Sequence, residues 1–265
     1  MKLASCVVIA LALMLASGCC VSSPRPAMNT QFSIGDQIVT AEVFQRGAAR
    51  PVMLNVHDDE NTSVTAGKAV IEQAGGRLIQ FSHSGRRNIR FTLNGERYAF
   101  DPNRIFSDAG IRDTLERQSA WSEAAHRAVK RFATQYLEHF ALNREPAIIA
   151  LHNNSDDTLS IHSYEPGREH AASTARVHVA SNRDPDDFFY VTDQRFFDYL
   201  KARDFNVMLQ DNANAPDDGS LSVYFGKKGI PYVNIEAELS HLNVQIEMAR
   251  VTCEMLEALN LRSSR

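Results

Sequence analysis

His57 and Glu60 stand three positions apart at the end of Val52–Glu60 (VMLNVHDDE), an apolar run that reads as a buried strand. An imidazole and a carboxylate so spaced can reach one metal ion from a single turn. Two further apolar runs end in residues of the same kind: Ala147–Leu151 runs into His152, and Pro231–Ile235 runs into Glu236. Two His and one Glu suit a metal site that keeps a position open for water, and the second Glu is then placed to activate that water. The His-x-x-Glu pair is weak evidence taken singly, because nine His and fifteen Glu make a match easy to find. Asp58 and Asp59 between the pair would also suit a solvated acidic turn. A rival match, His162 and Glu165 followed by Asn182-Arg183 and His241, lacks the context: His241 follows Glu238-Leu-Ser, which reads as a helix start with no strand to hold it.

The elements that must position these residues alternate along the chain. An opening hairpin over Gln31–Phe44 turns near Gly35-Asp36, followed by the 52–56 strand and a helix from Val64 to Gln73 stopped by Gly75-Gly76. Strands are expected at Arg77–Phe81, Asn88–Leu93 and Arg97–Phe100, the last two joined through Asn94-Gly95. From Asp108 to Leu142 the apolar residues Ile111, Leu115, Val129, Phe132 and Tyr136 recur at helical spacing. Later strands are expected at 147–151, 158–162, 188–191, 205–209, 221–225 and 231–235, with helices over Gln194–Arg203 and from Glu238 to Leu259. The class is therefore α/β: a single domain with a mixed, mostly parallel sheet flanked by helices on both faces. Ligands in such sheets collect at the carboxyl ends of the strands, where His57, His152 and Glu236 fall.

The N-terminus bounds where this chemistry takes place. Lys2, the apolar segment Leu3–Ala16 and then Ser17-Gly18-Cys19-Cys20 describe a secretory signal of the lipoprotein type, with Cys19 as the lipidated residue. Residues 1–18 are expected to be the signal, 19–30 a Ser- and Pro-rich tether and 31–265 the catalytic domain. The expected location is the bacterial envelope, as an outer-membrane lipoprotein facing the periplasm or a soluble periplasmic protein. Cys253 reads as a small buried helix residue. The net charge of −4 and the dispersed basic residues give nucleic acid binding no support. A serine hydrolase is disfavoured by the lack of a Gly-x-Ser-x-Gly elbow.

Between Glu60 and His152 stands Phe100–Phe106 (FDPNRIF). The ordered set His57-x-x-Glu60, Asp101-x-Asn103-Arg104, His152 and a late Glu236 resembles the zinc carboxypeptidase superfamily, especially its succinylglutamate desuccinylase and aspartoacylase branch, over roughly residues 50–240. The resemblance implies one Zn²⁺ per chain on His57, Glu60 and His152, with Glu236 as base and Glu238 as its competitor. It implies that Asn103 and Arg104 hold a substrate carboxylate. Arg97 is the expected oxyanion stabiliser, with Arg86, Arg87 and Arg90 as alternatives, and Tyr224 (or Tyr232) the expected cover over the substrate. The implied activity is hydrolysis of an amide next to a free carboxylate, by a carboxypeptidase or an N-acyl amino acid deacylase, with peptidoglycan peptides suggested by location. The alternative is a non-catalytic envelope binding protein that retains the fold. The oligomeric state is not legible.

Overall fold

The computed structural model describes residues 28–155 and 159–262. The signal, Cys19 and nearly all of the tether lie outside the described residues. In chain order the strands are β1 (Met28–Ile34), β2 (Gln37–Arg46), β3 (Val52–Asn55), β4 (Gly76–Ser82), β5 (Ile89–Leu93), β6 (Glu96–Phe100), β7 (Ile148–Asn154), β8 (Thr174–His178), β9 (Phe188–Val191), β10 (Val207–Gln210) and β11 (Tyr232–Glu238). The α-helices are α1 (Asn61–Ala74), α2 (Asp108–Gln118), α3 (Glu123–His139), α4 (Gln194–Lys201), α5 (Leu221–Lys227) and α6 (Leu242–Ala258).

Among the described residues, nine strands form one mixed sheet in the order β1-β2-β4-β3-β7-β11-β9-β10-β8, while β5 and β6 make a separate antiparallel ribbon. The centre, β4-β3-β7-β11, is parallel. Its strands are apolar on both faces, and alternation sends successive side chains to opposite layers. Val52, Leu54, Ile148, Ala150 and Tyr232 pack into the layer of α2, α3 and α5. Met53, Ile149, Leu151, Val233 and Ile235 pack against α1, α4 and α6. The single α/β domain with helices on both faces is thus present. No helix among the described residues is long and apolar enough to cross a membrane.

Several elements differ from the sequence reading. The segment 221–225 is helix α5 rather than a strand, because Ser220 accepts from the Val223 N–H and caps a turn that alternation alone had disguised. The long helix over 108–142 is two: α2 ends at Ser119, and Ser122 caps α3 by accepting from Ala125 N–H. In place of a strand at 158–162, Ile161–Tyr164 forms a 3₁₀ turn. β11 runs on to Glu238, so the last helix starts at Leu242. Strand β8, which pairs antiparallel with β10 at the sheet edge, had no clear apolar signal because its residues are half-buried or exposed.

Candidate metal centre

His57 lies two residues past the end of β3, and Glu60 immediately precedes α1. Buried polar contacts hold this turn. Asn55 Nδ2 donates to Ser63 Oγ at 2.8 Å and to the Leu151 carbonyl at 3.2 Å, while Ser63 Oγ donates to the Glu60 carbonyl at 2.8 Å. Asn153 Oδ1 accepts from the Ser63 N–H at 2.9 Å, so β3, α1 and β7 are tied together beneath the site. His152 and Glu236 are register partners on β7 and β11. Both sit an even number of residues from the inward-facing Ile148 and Tyr232, so both project into the α2, α3, α5 layer.

Three ligand residues converge here. His57 Nδ1 lies 2.7 Å from Glu60 Oε1 and 3.1 Å from His152 Nδ1, and His152 Nδ1 lies 3.0 Å from Glu60 Oε2. Ligands about 2.0–2.2 Å from a tetrahedral ion would stand roughly 3.3–3.5 Å apart, so a small outward adjustment accommodates one. All three residues are buried. The other nitrogen of His57, Nε2, donates to Asp101 Oδ1 at 2.8 Å, which turns the Nδ1 lone pair toward the convergence point. Two imidazoles and a carboxylate, with a carboxylate fixing one tautomer, form a donor set that fits zinc.

The electrostatics follow from burial and proximity. Burial by itself favours the neutral form of His57, but the Glu60 and Asp101 carboxylates outweigh it and raise His57 to about 9. Burial likewise works against charge on Glu60 and Asp101. The imidazoles, joined at Asp101 by Arg87, nevertheless hold both carboxyls below the usual range. A metal must displace the His57 proton, so affinity is expected to rise about tenfold per pH unit as pH rises toward about 9, then level off above it. In the metal-free protein the sign is opposite. The folded value lies above the unfolded one, so the His57 contribution is full below roughly pH 6.5 and is lost as pH rises through about 9. Competitive zinc titrations and denaturation of the stripped protein across this window check both slopes. A flat zinc affinity would mean that His57 does not release a proton to a ligand.

Asp101 was missed as a functional residue, although the Asp-Pro-Asn-Arg turn carries its signal. Its Oδ1 also accepts from Asn103 N–H at 2.8 Å, so the residue that orients His57 caps the turn presenting Asn103 and Arg104. Asp58, which invited the reading of a solvated turn, has a definite job. Its Oδ2 accepts from three successive backbone N–H groups, those of His83, Ser84 and Gly85, at 2.7, 2.7 and 2.6 Å. This anchors the loop that leads to Arg87. Asp58→Ala is expected to lower turnover about tenfold with metal content unchanged, through loss of loop anchoring worth about 1–2 kcal/mol. Kinetics paired with metal analysis of the variant check it.

A cavity of about 560 Å³ reaches the ligand cluster at Glu60 and His152, with His57 buried behind them. Glu236 lines it, with one carboxylate oxygen accepting from Asn234 Nδ2 at 2.8 Å. Glu238 is not among the lining residues; its carboxylate faces His241 at 3.3 Å and its N–H donates to Asp187. Asn103 and Arg104 line the cavity. Arg97 does not: it is exposed on β6, opposite Thr92, because Tyr98 and Phe100 on the other face of the strand turn into the core. The arginine that reaches the site is Arg87, whose Nη1 donates to Glu60 Oε1 at 2.9 Å and whose Nε donates to Asp101 Oδ2 at 3.3 Å. Tyr224 also lies elsewhere, packed on Phe106 with its hydroxyl donating to Asn143. α5 is a helix, which turns Tyr224 away from the cavity; Tyr164, Tyr190 and Tyr232 line it instead. The rival pair His162 and Glu165 is exposed and bonded to itself, and His241 contacts Asp187 and Glu238.

No family model and no curated protein sequence matches the chain. Solved structures similar to it include the succinylglutamate desuccinylase from Chromobacterium violaceum, at 13% identity and TM-score 0.46, covering 88% of this chain and 74% of that one. A murein-tripeptide amidase from Escherichia coli O157 is similar at 11% identity and TM-score 0.44, covering 91% and 94%. An aspartoacylase family protein from Mesorhizobium loti is similar at 14% identity and TM-score 0.37, covering 92% and 73%. At this level of likeness the functional reading rests on the geometry of the site.

Proposed function

We propose that this protein is a zinc-dependent hydrolase that cleaves an amide next to a free carboxylate. The observation that carries the reading is the convergence of His57 Nδ1, His152 Nδ1 and the Glu60 carboxylate beneath a cavity that also presents Glu236, Arg87 and Arg104. His57, Glu60 and His152 would hold the ion, which when bound supplies Lewis-acid polarisation and acidifies water. Glu236 takes a proton from the attacking water and returns it to the leaving nitrogen. Arg87 lies beside the ligands, where a developing oxyanion needs a fixed cation. Asn103 uses its side-chain oxygen to accept from Leu221 N–H at 3.1 Å, so the amide NH₂ is the end it can offer to a substrate, next to Arg104.

Metal analysis of the purified protein, then assays on peptides with free C-termini and on N-acyl amino acids, test the reading. One zinc per chain and hydrolysis of a carboxylate-bearing amide are expected. Stoichiometric zinc without turnover on any of them would favour a binding protein. Arg104→Ala is expected to raise KM for carboxylate-bearing substrates by about 1.5–3 kcal/mol equivalent, with zinc retained and little change on the corresponding carboxamide. Equal losses on both substrates would make Arg104 a structural residue. The lipoprotein-like N-terminus, with Lys2, Leu3–Ala16 and Cys19, supports placement of this activity in the bacterial envelope, where peptidoglycan peptides supply substrates of the right class.

A further inference from the structure

Asn234 breaks the pattern of its strand. It stands between Val233 and Ile235 in β11, in the interior of the sheet, with β7 on one side and β9 on the other. Asn is depleted from strands, because its side chain competes with the ladder for backbone groups. Its register partners offer it nothing: Ala150 brings no polar side-chain atom, and the Tyr190 hydroxyl donates to Gln210 Oε1 at 2.6 Å. Asn234 Oδ1 is buried and has no hydrogen-bond partner among the described residues. An orphaned acceptor of this kind destabilises a fold, and an apolar strand residue of similar size would avoid it.

The other end of the amide has a definite partner. Nδ2 donates to Glu236 Oε1 at 2.8 Å, from two positions earlier on the same face of the strand. The reversed amide would set its oxygen against a carboxylate, so this orientation is the one that fits. Glu236 Oε2 takes no hydrogen bond among the described residues, and both Asn234 and Glu236 line the cavity. One oxygen of the carboxylate is therefore held and the other is left open. We propose that Asn234 is a positioning residue for the base: it fixes the Glu236 carboxylate so that Oε2 is the oxygen that takes the water's proton and passes it on. This rests on the hydrolase reading given above and adds to it the residue that orients its base. A general base must meet its proton at hydrogen-bond distance, and a small misplacement lowers the rate by up to about 10²-fold.

Asn234→Val tests this, since it removes the donor and the orphaned acceptor together. On any amide that the wild type cleaves, kcat is expected to fall about 10- to 100-fold with KM within about twofold and zinc content unchanged. The metal-free variant is expected to melt no lower than the metal-free wild type, whereas loss of a structural asparagine would lower the melting temperature and spare kcat. Asn234→Asp, which keeps the shape without the donor, should lose at least as much kcat. In a Glu236→Gln background, Asn234→Val should bring no further loss, because the residue acts only through that carboxylate. Wild-type kcat in Asn234→Val, a lower melting temperature with kcat retained, or a further tenfold loss in the double variant overturns the inference. No turnover by the wild type on any carboxylate-bearing amide removes the hydrolase reading and this inference with it. Turnover by the wild type beside an unimpaired variant removes this inference alone.

Discussion

Glu236→Gln is expected to leave zinc binding nearly unchanged and to remove most turnover, about 10²–10⁴-fold in kcat. The amide keeps the shape of the carboxylate and its contact with Asn234 Nδ2, but it cannot accept the water's proton. Glu236 is not one of the three converging ligands, so metal content separates a lost base from a lost site. Glu238→Gln is the control. That carboxylate faces His241 outside the cavity, so turnover should change little. If Glu238→Gln were the inactive variant and Glu236→Gln the active one, the assignment of the base would be wrong by one strand repeat.

Arg87→Ala is expected to cost about 10²–10³-fold in kcat, roughly 2.7–4 kcal/mol, the range for removing one oxyanion donor from a preorganised site. Its guanidinium is held by Glu60 and Asp101 at the ligand cluster, so little reorganisation is needed when charge develops. Arg97→Ala should be close to wild type, since Arg97 is exposed on the β5–β6 ribbon. The two variants measured side by side, with zinc content, decide between the arginines. An Arg87→Ala protein that keeps its zinc and its kcat would exclude the oxyanion role.

The interior strands, and the positions of chemistry at their ends, were legible from local pattern. Apolar runs at 52–56, 147–151 and 231–235 can only be buried, and period-two alternation puts His152 and Glu236 on the same face once β7 and β11 lie side by side. The His-x-x-Glu spacing is equally local, because three positions span one turn. Whatever depends on which distant elements meet came from the packing of the whole chain. Arg87 and Arg97 flank the same strand β5 and look alike in sequence. Only the Asp58 anchor of the 83–85 loop carries one to the ligands, while the ribbon's alternation turns the other to solvent. The resemblance made Tyr224 a candidate cover because it precedes Glu236, in a segment that reads as a strand. The Ser220 cap makes it a helix and swings the ring onto Phe106. The bond from His57 to Asp101 spans 44 positions, and the approach of Asp218 to Arg104 joins loops more than a hundred residues apart. Periodicity reports which face a side chain takes, but not the order of strands or the path of a loop, and those set the distances that chemistry requires.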